Sequence, residues 1–196
     1  MPGMTIMCPS DENELRNMLA TAAREVSGPV AVRYPRGPGT GIEMDDDPQT
    51  LAIGKGRLVQ AGEDVAIIAA GTVLQPALDA AKILEKQGVK PAVLDARFVK
   101  PLDRELIVEW AEKTRSVVTI EENTLAGGFG SAVLELLEEE KLEIPLRRIG
   151  VPDSFVSHGH PQRLRKDYGL DAESIARACL EHLRNKQPAS TAALSS

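Results

Sequence analysis

The stretch Val117 to Glu140, VVTIEENTLAGGFGSAVLELLEEE, passes from a buried strand through a glycine loop into a helix without a break. Val117, Val118, Thr119 and Ile120 form a β-branched run of the kind covered on both faces in a parallel sheet, and Glu121, Glu122 and Asn123 end it at its carboxyl edge. Gly127, Gly128 and Gly130 permit tight turns, Ser131 or a neighbour can cap, and Val133, Leu134, Leu136 and Leu137 give the helix an apolar face. A strand joined to a helix in this way commits the chain to an α/β sheet, where chemistry gathers at the carboxyl edge. The glycines do not make a dinucleotide fingerprint, because Val133 stands where the third glycine belongs and no acidic residue ends a second strand at the usual distance. They read instead as a structural loop that lets a helix pack closely on the sheet.

The same alternation runs along the chain. Thr5–Cys8 reads as a strand. Asp11 and Glu14 have capping-box spacing for a helix with the stripe Leu15, Met18, Leu19, Ala22, Ala23 and Val26, and Pro29–Arg33 reads as a second strand. These elements are too few to bury a core alone, and the two strands are expected to have lost their sheet neighbours. Residues 37–56 are rich in Gly, Pro and Asp and read as a linker over a surface. Then follow strands at Arg57–Gln60 and Asp64–Ala70, a helix with Pro76 in its first turn, a strand at Ala92–Asp95, a helix opened by Leu102-Asp103, the stretch already described, a strand at Pro145–Ile149 and a helix capped by Asp171. Right-handed crossovers predict a three-layer α/β/α domain with a mostly parallel sheet and Arg57–Gln60 as its antiparallel edge. The tail from Lys186 lacks periodicity and is expected to be disordered.

Composition excludes some functions. With 23 basic against 29 acidic residues, a net charge of -6 and 3% aromatics, the chain offers neither a basic surface nor stacking platforms for nucleic acid. No apolar run approaches a membrane span and no secretory signal opens the chain, so a soluble, cytoplasmic protein is expected. Cys8 and Cys179 read as reduced core thiols.

Three groups of residues can carry chemistry. Arg33 and Arg36, in the string RYPRG at a strand end, can grip a phosphate with fork geometry or can be surface arginines in salt bridges. His158 and His160 can be a metal pair, but no third ligand stands at convincing spacing and a solvated loop is the better reading. Glu121 and Glu122 can act as acid and base, but neighbours on a strand face opposite ways, which favours capping, salt-bridging or intersubunit contact.

Several strings together carry a resemblance: PSDENEL from Pro9, VRYPRG at 32–37, GKG at 54–56, RFVKPLD at 97–103, EEN with GGFGS at 121–131, GVPDSFVSHG at 150–159 and GLDA at 169–172. Nearly the whole chain resembles the carboxyl-terminal third of the 1-deoxy-D-xylulose-5-phosphate synthase family. EEN with GGxG is shared by transketolases and by the beta subunits of 2-oxo-acid dehydrogenases, so VRYPRG, RFVKPLD and GLDA discriminate. The resemblance implies residues 1–40 as the end of a pyrimidine-binding domain, 41–56 as a linker, 57–185 as a transketolase carboxyl-terminal domain and 186–196 as the tail. It implies a homodimeric transferase that uses thiamine diphosphate and magnesium to condense pyruvate with glyceraldehyde 3-phosphate, losing carbon dioxide, for isoprenoid and thiamine synthesis. It assigns Arg36 to the aldehyde's phosphate, with Arg33 in support. The family's Gly-Asp-Gly motif is missing, and His158, His160 and His182 match none of its active-site histidines. The chain is therefore expected to hold no catalytic residue, to bind no cofactor or metal by itself, and to be an inactive fragment. Alternatives are a free-standing interaction or small-ligand-binding module using Gly71-Thr72, Asp95 and Glu121, or a piece of a transketolase or dehydrogenase beta subunit.

Overall fold

In the computed structural model, which describes residues 1–186, the hydrophobic pattern resolves into two sheets of unequal size. The expected tail lies outside the described residues apart from Lys186, which closes a helix. The larger sheet has the order β3-β5-β4-β7-β8, with β3 (Arg57–Gln60), β4 (Val65–Ala70), β5 (Pro91–Asp95), β7 (Val117–Thr124) and β8 (Leu146–Val151). Four strands run parallel and β3 pairs antiparallel with β5 at the edge, as the sequence predicts. Every residue of β4 is buried. Its odd and even positions enter different cores, because side chains alternate across a sheet. Val65, Ile67 and Ala69 pack under α2 (Leu74–Glu85) and α6 (Ala172–Lys186), while Ala66, Ile68 and Ala70 pack under α3 (Arg104–Thr114) and α4 (Phe129–Glu139). This is the three-layer α/β/α arrangement.

The smaller sheet contains β1 (Thr5–Met7), β2 (Val30–Val32) and β6 (Phe98–Lys100), in the order β2-β1-β6. Here the structure corrects the expectation of orphaned strands. The first strand has neighbours on both sides, parallel β2 and antiparallel β6, and β2 and β6 form the two edges. The strand β6 follows β5 after a turn in which Arg97 takes φ 55, and three residues before Pro101 are too few to announce a strand by periodicity. The stripe of α1 (Glu12–Arg24) is corrected too: Met18 is buried with Met7 and Phe98, but Leu19 is 51% exposed, and Glu14, Asn17 and Thr21 turn inward. Residues 33–56 hold no helix or strand. They are nevertheless fixed, because Asn17 Oδ1 accepts from Gln49 N at 2.8 Å, Thr21 Oγ1 accepts from Leu51 N at 2.8 Å, and Arg16 donates to the carbonyl of Asp45. The inward polar side chains of α1 supply the bonding partners this irregular segment lacks. A short helix α5 (Pro161–Asp167) lies between β8 and α6, where the sequence pattern announces no element.

Candidate functional site at the carboxyl edge

The carboxyl edge of the large sheet is built around two neighbouring carboxylates of β7 that point to opposite faces. Glu121, 2% exposed, accepts from the backbone N–H of Phe129 at 2.7 Å and of Gly130 at 2.8 Å. It thereby satisfies the first amides of α4, whose N-cap residue Gly128 offers no side chain. Ser131 is not the cap; its hydroxyl donates to Leu125 O and accepts from Gly127 N. A Cβ on Gly128 would lie 2.4 Å from the Glu121 carboxylate, and one on Gly130 would lie 2.5 Å from Thr119 Oγ1, so the glycines serve close packing. Glu122 faces the other way, accepting from Thr72 Oγ1 and Arg165 Nε, each at 2.6 Å, while Arg165 also reaches Thr72 at 3.1 Å. Burial pushes the Glu122 carboxyl up, but the hydrogen bonds from Arg165 and Thr72 outweigh it and hold the group below the usual range. One carboxylate caps and the other is salt-bridged, so they do not form an acid–base pair.

The structure separates the two predicted phosphate arginines. Arg33 is committed to the protein: its backbone N–H donates to Met7 O at 2.9 Å and its guanidinium donates to Glu122 O at 2.6 Å and meets Cys8 Sγ at 3.8 Å. Burial raises the Cys8 thiol against the pull of Arg33. Arg36 is exposed and has no hydrogen-bond or ion-pair partner among the described residues. It sits on the turn Tyr34–Gly39, whose Pro35 and Gly37 line a recess of about 240 Å3 with Thr72, Asp11 and Glu12. Beyond that turn, Glu12 accepts from Thr40 N at 3.0 Å, Thr40 Oγ1 at 2.9 Å, Ile42 N at 3.3 Å and Gly41 N. The amides of its own residue and of Thr40 head the groups that draw the Glu12 pKa down to about 2.

A family model described as "Transketolase, C-terminal domain" matches residues 54–175, and another described as "Transketolase, pyrimidine binding domain" matches residues 1–40. The chain belongs to the transketolase C-terminal domain family. It is 52% identical, over 92% of its length, to 1-deoxy-D-xylulose-5-phosphate synthase of Heliobacterium modesticaldum, and 52% identical, over 91%, to 1-deoxy-D-xylulose-5-phosphate synthase 1 of Geobacter sulfurreducens. It spans 28% of the length of either relative. Among solved structures it matches a chain titled "Split gene transketolase, inactive beta4 tetramer" at 39% identity and a TM-score of 0.85, covering 95% of this chain and 60% of that one. A Pichia stipitis transketolase mutant with xylulose 5-phosphate matches at 17% identity and a TM-score of 0.66, over 94% of this chain and 26% of that one, which speaks for the fold alone.

This transketolase C-terminal domain is joined to the segment before it by charges that the sequence reading passed over. Arg97 grips Glu14 of α1 through two hydrogen bonds, at 2.9 and 2.6 Å. Arg57 lies 3.2 Å from Asp95 and 3.6 Å from Glu14. Burial pushes Asp95, fully enclosed at the end of β5, up to about 6 against the pull of Arg57. The spacing of Glu14 from Arg97 gives no local signal; RFVKPLD pointed to the arginine but not to its partner. Thr72, named only as part of a small-ligand edge, and Arg165, not named at all, went unread as partners of Glu122 for the same reason, since three parts of the chain meet there. His158 and His160 are exposed, His182 is buried near Pro145 O, and no group of three His, Cys, Asp or Glu among the described residues could hold a metal ion. No helix among them is long and apolar enough to cross a membrane.

Proposed function

We propose that this chain is the carboxyl-terminal part of a transferase of the 1-deoxy-D-xylulose-5-phosphate synthase type, and that Arg36 is its contact to substrate. In this reading residues 1–40 complete a pyrimidine-binding domain, 41–56 link it to the domain at 57–185, and the cytoplasmic homodimer joins pyruvate-derived carbon to glyceraldehyde 3-phosphate. Thiamine diphosphate with magnesium supplies the decarboxylating chemistry in that enzyme. The residues present do not fit that group: no acidic or histidine cluster among the described residues suits a metal, and the sequence has no Gly-Asp-Gly string. No step through the cofactor is therefore assigned to this chain.

The observation that carries the reading is the contrast between the two arginines. Arg33 is spent on Glu122 and Cys8, whereas Arg36 stands exposed on a turn between two anchored points. A guanidinium held this way can offer its fork to a phosphate without first breaking an ion pair. The test is a chimaera in which this chain replaces the matching stretch of the Heliobacterium modesticaldum synthase. Arg36→Ala is expected to cost about 2 to 4 kcal/mol of transition-state binding, roughly 30-fold to 1000-fold in kcat/KM for glyceraldehyde 3-phosphate. Formation of the pyruvate-derived intermediate should persist, and Arg36→Lys should recover only part of the loss. Equal losses in both half-reactions, or none, would return Arg36 to a structural role.

A second reading, a subunit that meets its cofactor-bearing partner as a separate chain, is favoured by the similarity to the split-gene transketolase chain. Mixing this chain with an upstream half of the same relative and finding activity without covalent linkage would support it.

A further inference from the structure

The turn that carries Arg36 is tied down at both ends. On one side, Arg33 is locked into β1 through Met7 O and onto the domain through Glu122 O. On the other, the carboxylate of Glu12, at the start of α1, takes the three consecutive amides of Thr40, Gly41 and Ile42 together with the Thr40 hydroxyl. Six residues separate the anchors, and Pro35 and Pro38 stiffen them. The fit leaves little slack: a Cβ on Gly39 would fall 2.6 Å from Glu12 Oε1, and Gly41 has φ 80, a conformation that favours glycine. Three convergent N–H groups form a concave nest that demands a negatively charged, acceptor-only partner, which a carboxylate is and an amide is not.

We infer that Glu12 is the positioning residue for Arg36: by filling the Thr40–Ile42 nest it fixes where the guanidinium stands, and so sets affinity for the phosphorylated acceptor. This rests on the phosphate reading of Arg36. Glu12 does not touch the substrate; its effect is carried by the backbone of the turn.

Backbone amide relaxation of the full chain reads the clasp without any substrate. Glu12→Gln places an NH2 group against backbone donors, so residues 36–42 are expected to become mobile while 65–70 stay rigid. In the chimaera, the same substitution should raise KM for glyceraldehyde 3-phosphate on the order of tenfold, with KM for pyruvate and the pyruvate half-reaction unchanged. Gly41→Ala, which strains the nest from the other side, should reproduce the effect. With Arg36→Ala already in place, Glu12→Gln should add nothing, because the two act as one unit. Unchanged relaxation in Glu12→Gln would overturn the inference. So would a mobile turn with normal KM in a background where Arg36→Ala raises KM, an outcome that leaves the phosphate reading standing. If Arg36→Ala itself has no effect on KM, the phosphate reading falls and this inference falls with it, whatever the relaxation shows.

Discussion

From Val65 to Ala70 every residue of β4 is apolar and buried, whereas α1 turns Glu14, Asn17 and Thr21 inward and leaves Leu19 half in solvent. The domain is held by two continuous apolar cores on either side of one sheet. The amino-terminal segment is held by a three-residue apolar cluster, one short strand pairing and a set of ion pairs and side-chain-to-backbone hydrogen bonds. Apolar burial at about 25 cal/mol per Å2 favours a self-sufficient domain, while polar attachments contribute about 1 kcal/mol each and depend on both partners being present. The difference teaches that the two regions should fail separately.

The strongest way to break that comparison is to damage the domain core. Ile67→Ala removes a fully buried side chain between α2 and α6 and should cost about 2 to 5 kcal/mol, lowering the denaturant midpoint of the domain. Glu14→Ala attacks the attachment instead. It strips Arg97 of both hydrogen bonds and leaves Arg57 with Asp95 alone, a loss of about 3 kcal/mol by the rule for removing one member of a buried pair. Hydrogen exchange should then quicken on the order of 100-fold in residues 5–24 and hardly at all in 65–70. A uniform acceleration would show that the segment and domain unfold as one unit.

What the sequence made legible follows the same division. In the domain, β-branched runs and helix stripes named nearly every element and the antiparallel edge, because burial on both faces forces a simple pattern. In the segment, the pattern misled: Leu15, Leu19 and Ala23 looked like a core stripe, yet the helix answers to the polar needs of residues 40–51, which no periodicity records. The opposite facing of Glu121 and Glu122 was legible from strand geometry alone, and so was capping as a role for them. That Glu121 and not Ser131 caps α4 was not, since it depends on a strand eight residues upstream reaching the helix. The string RYPRG by itself does not rank Arg33 and Arg36, and although the resemblance gives Arg33 only a supporting place, the contact of Arg33 with the Glu122 carbonyl on β7 was not legible.

Titration sharpens the comparison further, because the two regions respond to pH in opposite senses. Asp95 has its folded pKa raised to about 6, above the ordinary 3.8. Its contribution is thus fully present below about 3.8 and lost as pH rises through about 6, roughly 3 kcal/mol across that window before any relaxation. Arg57 and Arg97 on the domain and Glu14 on α1 all act on it, and Asp95→Asn should remove this slope from urea-denaturation stability between pH 4 and 7. Glu12, held near 2, gives the reverse: its contribution is present above about 4.5 and disappears as pH falls through about 2. Amide shifts of Thr40 and Gly41 should therefore move only in strong acid, and a midpoint near 4.5 would mean that the clasp is not made.

The smallest expected effect is also the one that asks what covers the segment. Leu19 sits on α1 at 51% exposure beside exposed Ala23, so in this chain alone its side chain has little burial to lose. Leu19→Ser should change stability by less than about 0.5 kcal/mol, the range of surface substitutions, and should leave the sedimentation coefficient unaltered. The contrast with Ile67 is the point: two leucine-sized groups, one enclosed by helices and one facing solvent, should differ by several kcal/mol. If Leu19→Ser instead costs more than about 1 kcal/mol, and the cost grows with protein concentration, the face is buried against another copy. The amino-terminal segment would then draw on an apolar core after all, supplied from outside its own chain.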